Sequence, residues 1–259
     1  MSFDISQLEH FPILRPPRGL VIGMPKIGKT TFAAGAPDPV FIPVKGEEGA
    51  DDLAVARFPT CHTFAEVMDA LRSLREQKHA FSTVVIDSVS TLEPLIWEAV
   101  CRAEGVDSIE KVGGGFGKGY IEAVVRWREL MDLLDALRAQ DMASILIGHV
   151  TVRTFADPTS ENYDQYQLDL NRHAAAALMR WSDCILFANS RALIRKEEAG
   201  FNKTTRKAVL REERCLFTQK RPAHPGGGRG VYGRLPYELP LSWAAFEEAI
   251  TQAKETENE

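Results

Sequence analysis

A lysine ammonium, a threonine hydroxyl and two glycines at fixed spacing are enough to hold a polyphosphate, and residues 23–30 supply them. The run Gly23-Met24-Pro25-Lys26-Ile27-Gly28-Lys29-Thr30 fits GxxxxGK[ST]. Its glycines let backbone N–H groups point inward at phosphate oxygens with no Cβ in the way. Lys29 is expected to face solvent and to reach the β- and γ-phosphates, while Thr30 offers its hydroxyl to Mg²⁺. A helix starting near Lys29 would aim its positive dipole end at the same anions. Gly23 through Thr31 is therefore the expected nucleotide-binding set, with ATP and Mg²⁺ as cofactors.

Other positions gain meaning from that loop. Asp87 ends the apolar run Val84-Val85-Ile86, and an acid there suits the second protein ligand of the Mg²⁺. Glu47 and Glu48 follow another apolar run. A carboxylate just past a strand end can orient an attacking water, and Glu48 is the preferred candidate of the two. His149 also lies just past an apolar run, where it could contact a γ-phosphate and report hydrolysis to the segment behind it.

These residues need a frame that brings strand ends together. Gly19 to Ile22, Val40 to Val44, Phe81 to Asp87, Ala143 to Ile147 and Cys184 to Ala188 read as buried strands. Helical spacing is expected over Phe64 to Gln77, Leu92 to Ala103, Ile121 to Ala139 and Ala174 to Trp181. The alternation predicts an α/β fold with a mostly parallel central sheet covered by helices. Gly113 to Gly119 is expected to be a mobile loop, and residues 150–170 a polar loop. Beyond Arg191 short antiparallel strands are expected around 192–194, 208–210 and 215–218, forming a C-terminal β edge. Pro225 to Gly230 reads as flexible, and Trp243 to Ala253 as a closing helix. The expected divisions are an N-terminal arm over 1–17, a core over 18–240, and a closing helix with a frayed tail over 241–259.

At 259 residues, with 44% hydrophobic and 26% charged side chains, the chain has the composition of a globular protein with a full core. No apolar run reaches membrane-spanning length, and Met1 to Phe11 lacks a signal-peptide pattern, so a cytoplasmic protein with no membrane partner is expected. Four scattered cysteines with no CxxC pair argue for buried thiols rather than zinc or disulfides. A net charge of -5 excludes a uniformly basic surface but not a local basic groove.

The phosphate loop, Glu48-Gly49, Val84 to Ser88, Phe116-Gly117-Lys118-Gly119-Tyr120 and Gly148-His149 together resemble the RecA-like ATPases of phages. Closest in type are the Sak-type single-strand annealing proteins and related phage nucleotide-binding proteins, over about residues 18–240. The resemblance implies a RecA-like P-loop NTPase core that hydrolyses ATP, associates with itself into a ring or filament, and engages single-stranded DNA in annealing or recombination. Replication or recombination proteins would be further partners. It implies two DNA loops, near 105–119 with Lys111 and Lys118, and near 150–172 with Arg153, Phe155, Tyr163, Tyr166 and Arg172. Asp157, Glu161, Asp164 and Asp169 oppose the cations of the second. Relatives carry a Lys-Asn-Arg-like stretch before a Leu-Pro that reaches a neighbour's ATP. Here Gly227-Gly228-Arg229-Gly230 precedes Leu235-Pro236, so Arg229 is the candidate cation in trans, with Lys220, Arg221 and Arg234 as alternates. The implied catalytic set is Glu48, Lys29, Arg229 and His149. Rival readings are a nucleotide-dependent regulator or loader of a replication protein, and a small-molecule P-loop kinase.

Overall fold

The computed structural model describes residues 15–157, 161–198 and 204–255, with side chains described outside 192–212. In chain order the strands are β1 (Arg18–Gly23), β2 (Pro39–Pro43), β3 (Ala56–Arg57), β4 (Thr83–Asp87), β5 (Ala143–Gly148), β6 (Val150–Phe155), β7 (Tyr163–Leu168), β8 (Cys184–Glu198), β9 (Thr204–Phe217), β10 (Gly227–Gly228) and β11 (Glu238–Pro240). The helices are α1 (Lys29–Ala34), α2 (Phe64–Glu76), α3 (Val89–Glu104), α4 (Lys118–Arg138), α5 (Arg172–Trp181) and α6 (Trp243–Glu255).

The main sheet runs β11-β9-β8-β1-β5-β4-β2-β3, with β10 also paired to β8. From β8 through β1, β5, β4 and β2 to β3 every pairing is parallel. β9 and β11 add the antiparallel edge. Alternate side chains of one strand feed opposite faces, as period two demands. Leu20, Ile22, Val84 and Ile86 join the core under α2, α3, α4 and α5, whereas Val21 and Val85 join the core under α1 and α6. The expected α/β sheet is therefore present, and the C-terminal ends of β1, β2, β4 and β5 share one rim, where α/β sheets bind ligands.

Several expectations change in detail. Residues 150–170 form an antiparallel hairpin, β6–β7, rather than a loop, with Val152 opposite Tyr166 and Phe155 opposite Tyr163. Polar side chains stand at Thr151, Arg153, Thr154, Asp164, Gln165 and Gln167, so polarity masks the period of two. The glycine run is not one loose loop. Ile109–Gly114 forms a 3₁₀ turn and α4 begins at Lys118. The short strands expected after residue 191 are parts of two long ones, β8 and β9, with an irregularity between Ser190 and Ala192. Within Pro225 to Gly230, Gly227 and Gly228 pair as β10.

Residues 1–14 of the expected arm lie outside the described residues, as does the tail 256–259. The backbone entering β1 is docked, with Arg138 Nε donating to the Pro16 carbonyl at 2.7 Å and the Ser144 N–H to that of Pro17 at 2.9 Å. α6 packs Phe246 edge-on against Phe32 of α1, with ring centroids 5.8 Å apart. Among the described residues no helix is long and apolar enough to cross a membrane.

Candidate functional site

β1 delivers the chain to the rim at Gly23, and the loop that follows returns into α1 at Lys29. Gly28 sits at φ +111°, a left-handed conformation that strains a residue with a Cβ. The expectation that Lys29 faces solvent is corrected, because its side chain is buried. Its ammonium donates to the carbonyls of Gly23 and Met24, each at 2.9 Å, and lies 3.4 Å from His149 Nδ1. The loop folds its own carbonyls over the ammonium, which has three protons to place. Burial lowers the Lys29 pKa to about 8, against the opposing pull of Asp87 and Glu47.

Thr30 Oγ1 donates to Asp87 Oδ2 at 2.8 Å, joining the first turn of α1 to the end of β4. Burial pushes the Asp87 carboxyl up to about 6. The Thr30 hydrogen bond opposes this, the Glu47 charge adds to it, and Lys29 and His149 oppose it. A hydroxyl and a carboxylate this close are hard oxygen ligands of the kind Mg²⁺ takes from a protein while keeping waters and phosphate oxygens. These two residues fit that ion. Gly49 backs directly onto Thr30: a Cβ there would lie 2.8 Å from Thr30 Oγ1. The glycine in Glu48-Gly49 is thus required by close approach to the phosphate loop.

The two neighbouring glutamates are placed differently. Glu47 Oε1 accepts from Ser88 Oγ at 2.7 Å and pairs with His149 Nε2 at 2.7 Å. Glu48 is exposed. Burial would raise the Glu47 pKa, but the hydrogen bonds from His149 and Ser88 and the charges of His149 and Lys29 together hold it below the ordinary glutamate value. An ionised Glu47 only accepts, so the His149 Nε2–H donates to it. Glu47 rather than the expected Glu48 therefore enters the rim, since a turn of one residue after β2 decides which carboxylate does so.

His149 joins this site to the hairpin behind it. Its N–H donates to Ser90 Oγ at 2.9 Å, and its carbonyl accepts from the Asp169 N–H at 2.9 Å. β5 ends one residue before it and β6 starts one residue after. Phe155 and Tyr163 meet at the far end of the hairpin, centroids 5.5 Å apart, and Arg153 and Arg172 are exposed. Tyr166 instead packs on Phe187, centroids 5.1 Å apart, so its ring is engaged in the core. Lys111 pairs with Asp107 at 2.7 Å, and Lys118 donates to the Gly113 carbonyl at 3.1 Å.

Arg229 lies at the opposite end of the sheet. Its N–H donates to the Asp183 carbonyl, and its guanidinium donates to the carbonyls of Arg180 and, at 2.9 Å, Ser182. From the Gly19–Cys184 register, that is about 16 Å below the phosphate loop, at roughly 3.3 Å per residue. Arg221 stacks over Tyr237 at 4.3 Å, and Lys220 is exposed. Among the described residues, a cation that reaches the loop from outside it is Arg214 of β9: its guanidinium would lie 3.2 Å from a Cβ at Gly28. No sequence signal marks Arg214, because only the pairing of β9 on β8 brings it there.

A family model described as an AAA domain matches residues 15–230. Comparison of the sequence with curated proteins finds no match.

Proposed function

This chain belongs to the AAA-domain family of P-loop NTPases, and from that premise we propose that it hydrolyses ATP to control a single-strand DNA-binding hairpin. We place its work in annealing or recombination of the phage RecA-like type. The observation that carries this reading is His149. Its ring touches both Lys29 and Glu47, while its backbone is bonded to Ser90 and Asp169 at the root of the hairpin.

In this reading Lys29 leaves the Gly23 and Met24 carbonyls for phosphate oxygens. Thr30 and Asp87 would hold a Mg²⁺, which would supply charge neutralisation at the phosphates. Glu47, kept ionised, orients and polarises the attacking water. His149 senses the change because its two ring nitrogens face the two residues that move. Its backbone passes any shift to β6. Arg214 flanks the loop from the same subunit. Arg229 could serve a neighbouring subunit only by leaving the α5 carbonyls it now caps. Self-association would place such a cation at each interface, and mass measurement with and without ATP and an oligonucleotide tests it.

The DNA surface would be Arg153, Phe155, Tyr163 and Arg172, with acids alongside. Binding should be weak without nucleotide and tighter with ATP or a slowly hydrolysed analogue. Its salt dependence should be shallow, since the slope is about -0.7 per phosphate neutralised on a single strand. Fluorescence anisotropy of a labelled oligonucleotide across salt tests this. No binding at low salt with ATP would turn the reading to a nucleotide-dependent regulator that works without DNA.

A further inference from the structure

Beside the rim, α3, the start of α4 and the root of the β6–β7 hairpin enclose a second cleft of about 410 Å³. Its floor is unusual. Glu93 of α3 is only 5% exposed. Oε2 accepts from the Asn171 N–H at 2.8 Å, but the buried Oε1 has no hydrogen-bond partner among the described residues. One helical turn further, the buried Nε1 of Trp97 has none either. Folded proteins leave few such atoms, because each costs its full desolvation. Here an acceptor and a donor belong to side chains at i and i+4, on one face of one helix, and both residues line one cleft.

The walls narrow what could satisfy them. Tyr120 meets the Trp97 ring edge-on, centroids 5.4 Å apart and planes at 76°, forming an aromatic corner. Arg153 and Arg172 stand on the rim, with Asp169 as the opposing charge. A cationic side chain from a partner would suit Glu93 but would leave the indole N–H unanswered and meet two guanidiniums. A plain anion would suit the arginines but not the buried carboxyl. A flat group with a donor beside an acceptor on one edge, carried on a phosphate chain, suits all of them.

We propose that this cleft takes one unpaired nucleobase of a single strand, with Glu93 and Trp97 reading its Watson–Crick edge, the aromatic corner holding its face and Arg153 and Arg172 taking the flanking phosphates. The inference rests on the single-strand DNA reading above and gives that reading its selectivity: the edge is available only when the base is unpaired. The cleft is also tied to the nucleotide site. Ser90, one turn before Glu93, accepts from the His149 N–H, and Asp169 and Asn171 connect the His149 carbonyl to Glu93.

The test compares two labelled strands of equal length in the presence of a slowly hydrolysed ATP analogue, one bearing bases and one abasic throughout. Wild type is expected to favour the base-bearing strand by at least about 5-fold, the low end of one stacked base. Trp97→Phe keeps the packing but removes the N–H. Glu93→Gln keeps the acceptor for Asn171 but removes the charge. Each should weaken the base-bearing strand by a similar factor and leave the abasic strand unchanged. Thermal unfolding verifies that both variants are folded. Equal loss on both strands, or no loss on either, overturns the pocket while leaving DNA binding in place. Absence of binding to either strand by wild type overturns the pocket and the DNA reading together.

Discussion

Two polar sites lie a few residues apart on the same rim, and they are finished to different degrees. In the nucleotide site every central group has a partner within the chain: Lys29 on two carbonyls, Thr30 on Asp87, Glu47 on Ser88 and His149. In the neighbouring cleft Glu93 and Trp97 each hold a buried polar atom that has no partner among the described residues. The first arrangement is preorganised, and a ligand must exchange bonds that already exist. The second is an unfilled demand, so a ligand there would add bonds without breaking any. Such a site gains selectivity from the cost of staying unpaired.

The largest effect should come from the preorganised side. Lys29→Ala removes a charge-assisted contact to phosphate and should weaken nucleotide binding by about 10³-fold, within the 2–5 kcal/mol typical of truncating such a buried charge contact. Because Lys29 is buried, its melting temperature should be recorded beside a fluorescent-nucleotide titration. Unchanged affinity in a folded variant would break the comparison at its first half.

Glu47→Gln should retain nucleotide and slow hydrolysis by about 10²-fold, the size of a lost general base. Glu48→Gln should change little, as its side chain is exposed. Steady-state hydrolysis by both variants decides between them, and a reversed order would move the role outward by one residue.

The cleft predicts a stability effect with a pH signature. Burial pushes the Glu93 carboxyl up to about 7 from an ordinary 4.5, with the Asn171 N–H opposing and Asp169 adding to it. The unfolded chain therefore releases this proton at lower pH than the folded one, and wild-type stability falls as pH rises from 4.5 to 7 and stays penalised above. Glu93→Gln lacks that slope and should be the more stable protein at pH 8, by on the order of 2 kcal/mol, with the difference vanishing near pH 4. Urea unfolding at several pH values measures it, and parallel pH profiles would mean Glu93 already has a partner.

The smallest effect expected is that of Arg229→Ala. As a cap on the last carbonyls of α5 the side chain should contribute about 0.5–1 kcal/mol to stability. Hydrolysis that drops only in assembled protein, and recovers when this variant is mixed with Lys29→Ala, would instead mark Arg229 as acting across subunits.

Much of the nucleotide site was legible before any fold was known. The phosphate loop is contiguous, so its chemistry is set by spacing along the chain, and Asp87 is announced by the apolar strand it ends. The α/β alternation follows from local periodicity, and the observed parallel sheet is its consequence. Polarity hid the β6–β7 hairpin, because exposure on both faces blurs a period of two.

The sequence by itself determined which elements form and which residues close the phosphate loop, since both depend on neighbours within a few positions. Tertiary structure alone decided that Glu47 rather than Glu48 turns into the rim, that Lys29 is covered by its own loop, and that Arg214 rather than Arg229 lies beside Gly28. It also brought Asn171 onto Glu93 and left the other carboxylate oxygen buried without a partner among the described residues. Each of these is a matter of side-chain direction or long-range register. One rotation after a strand, or one pairing between distant strands, changes it without changing any local pattern.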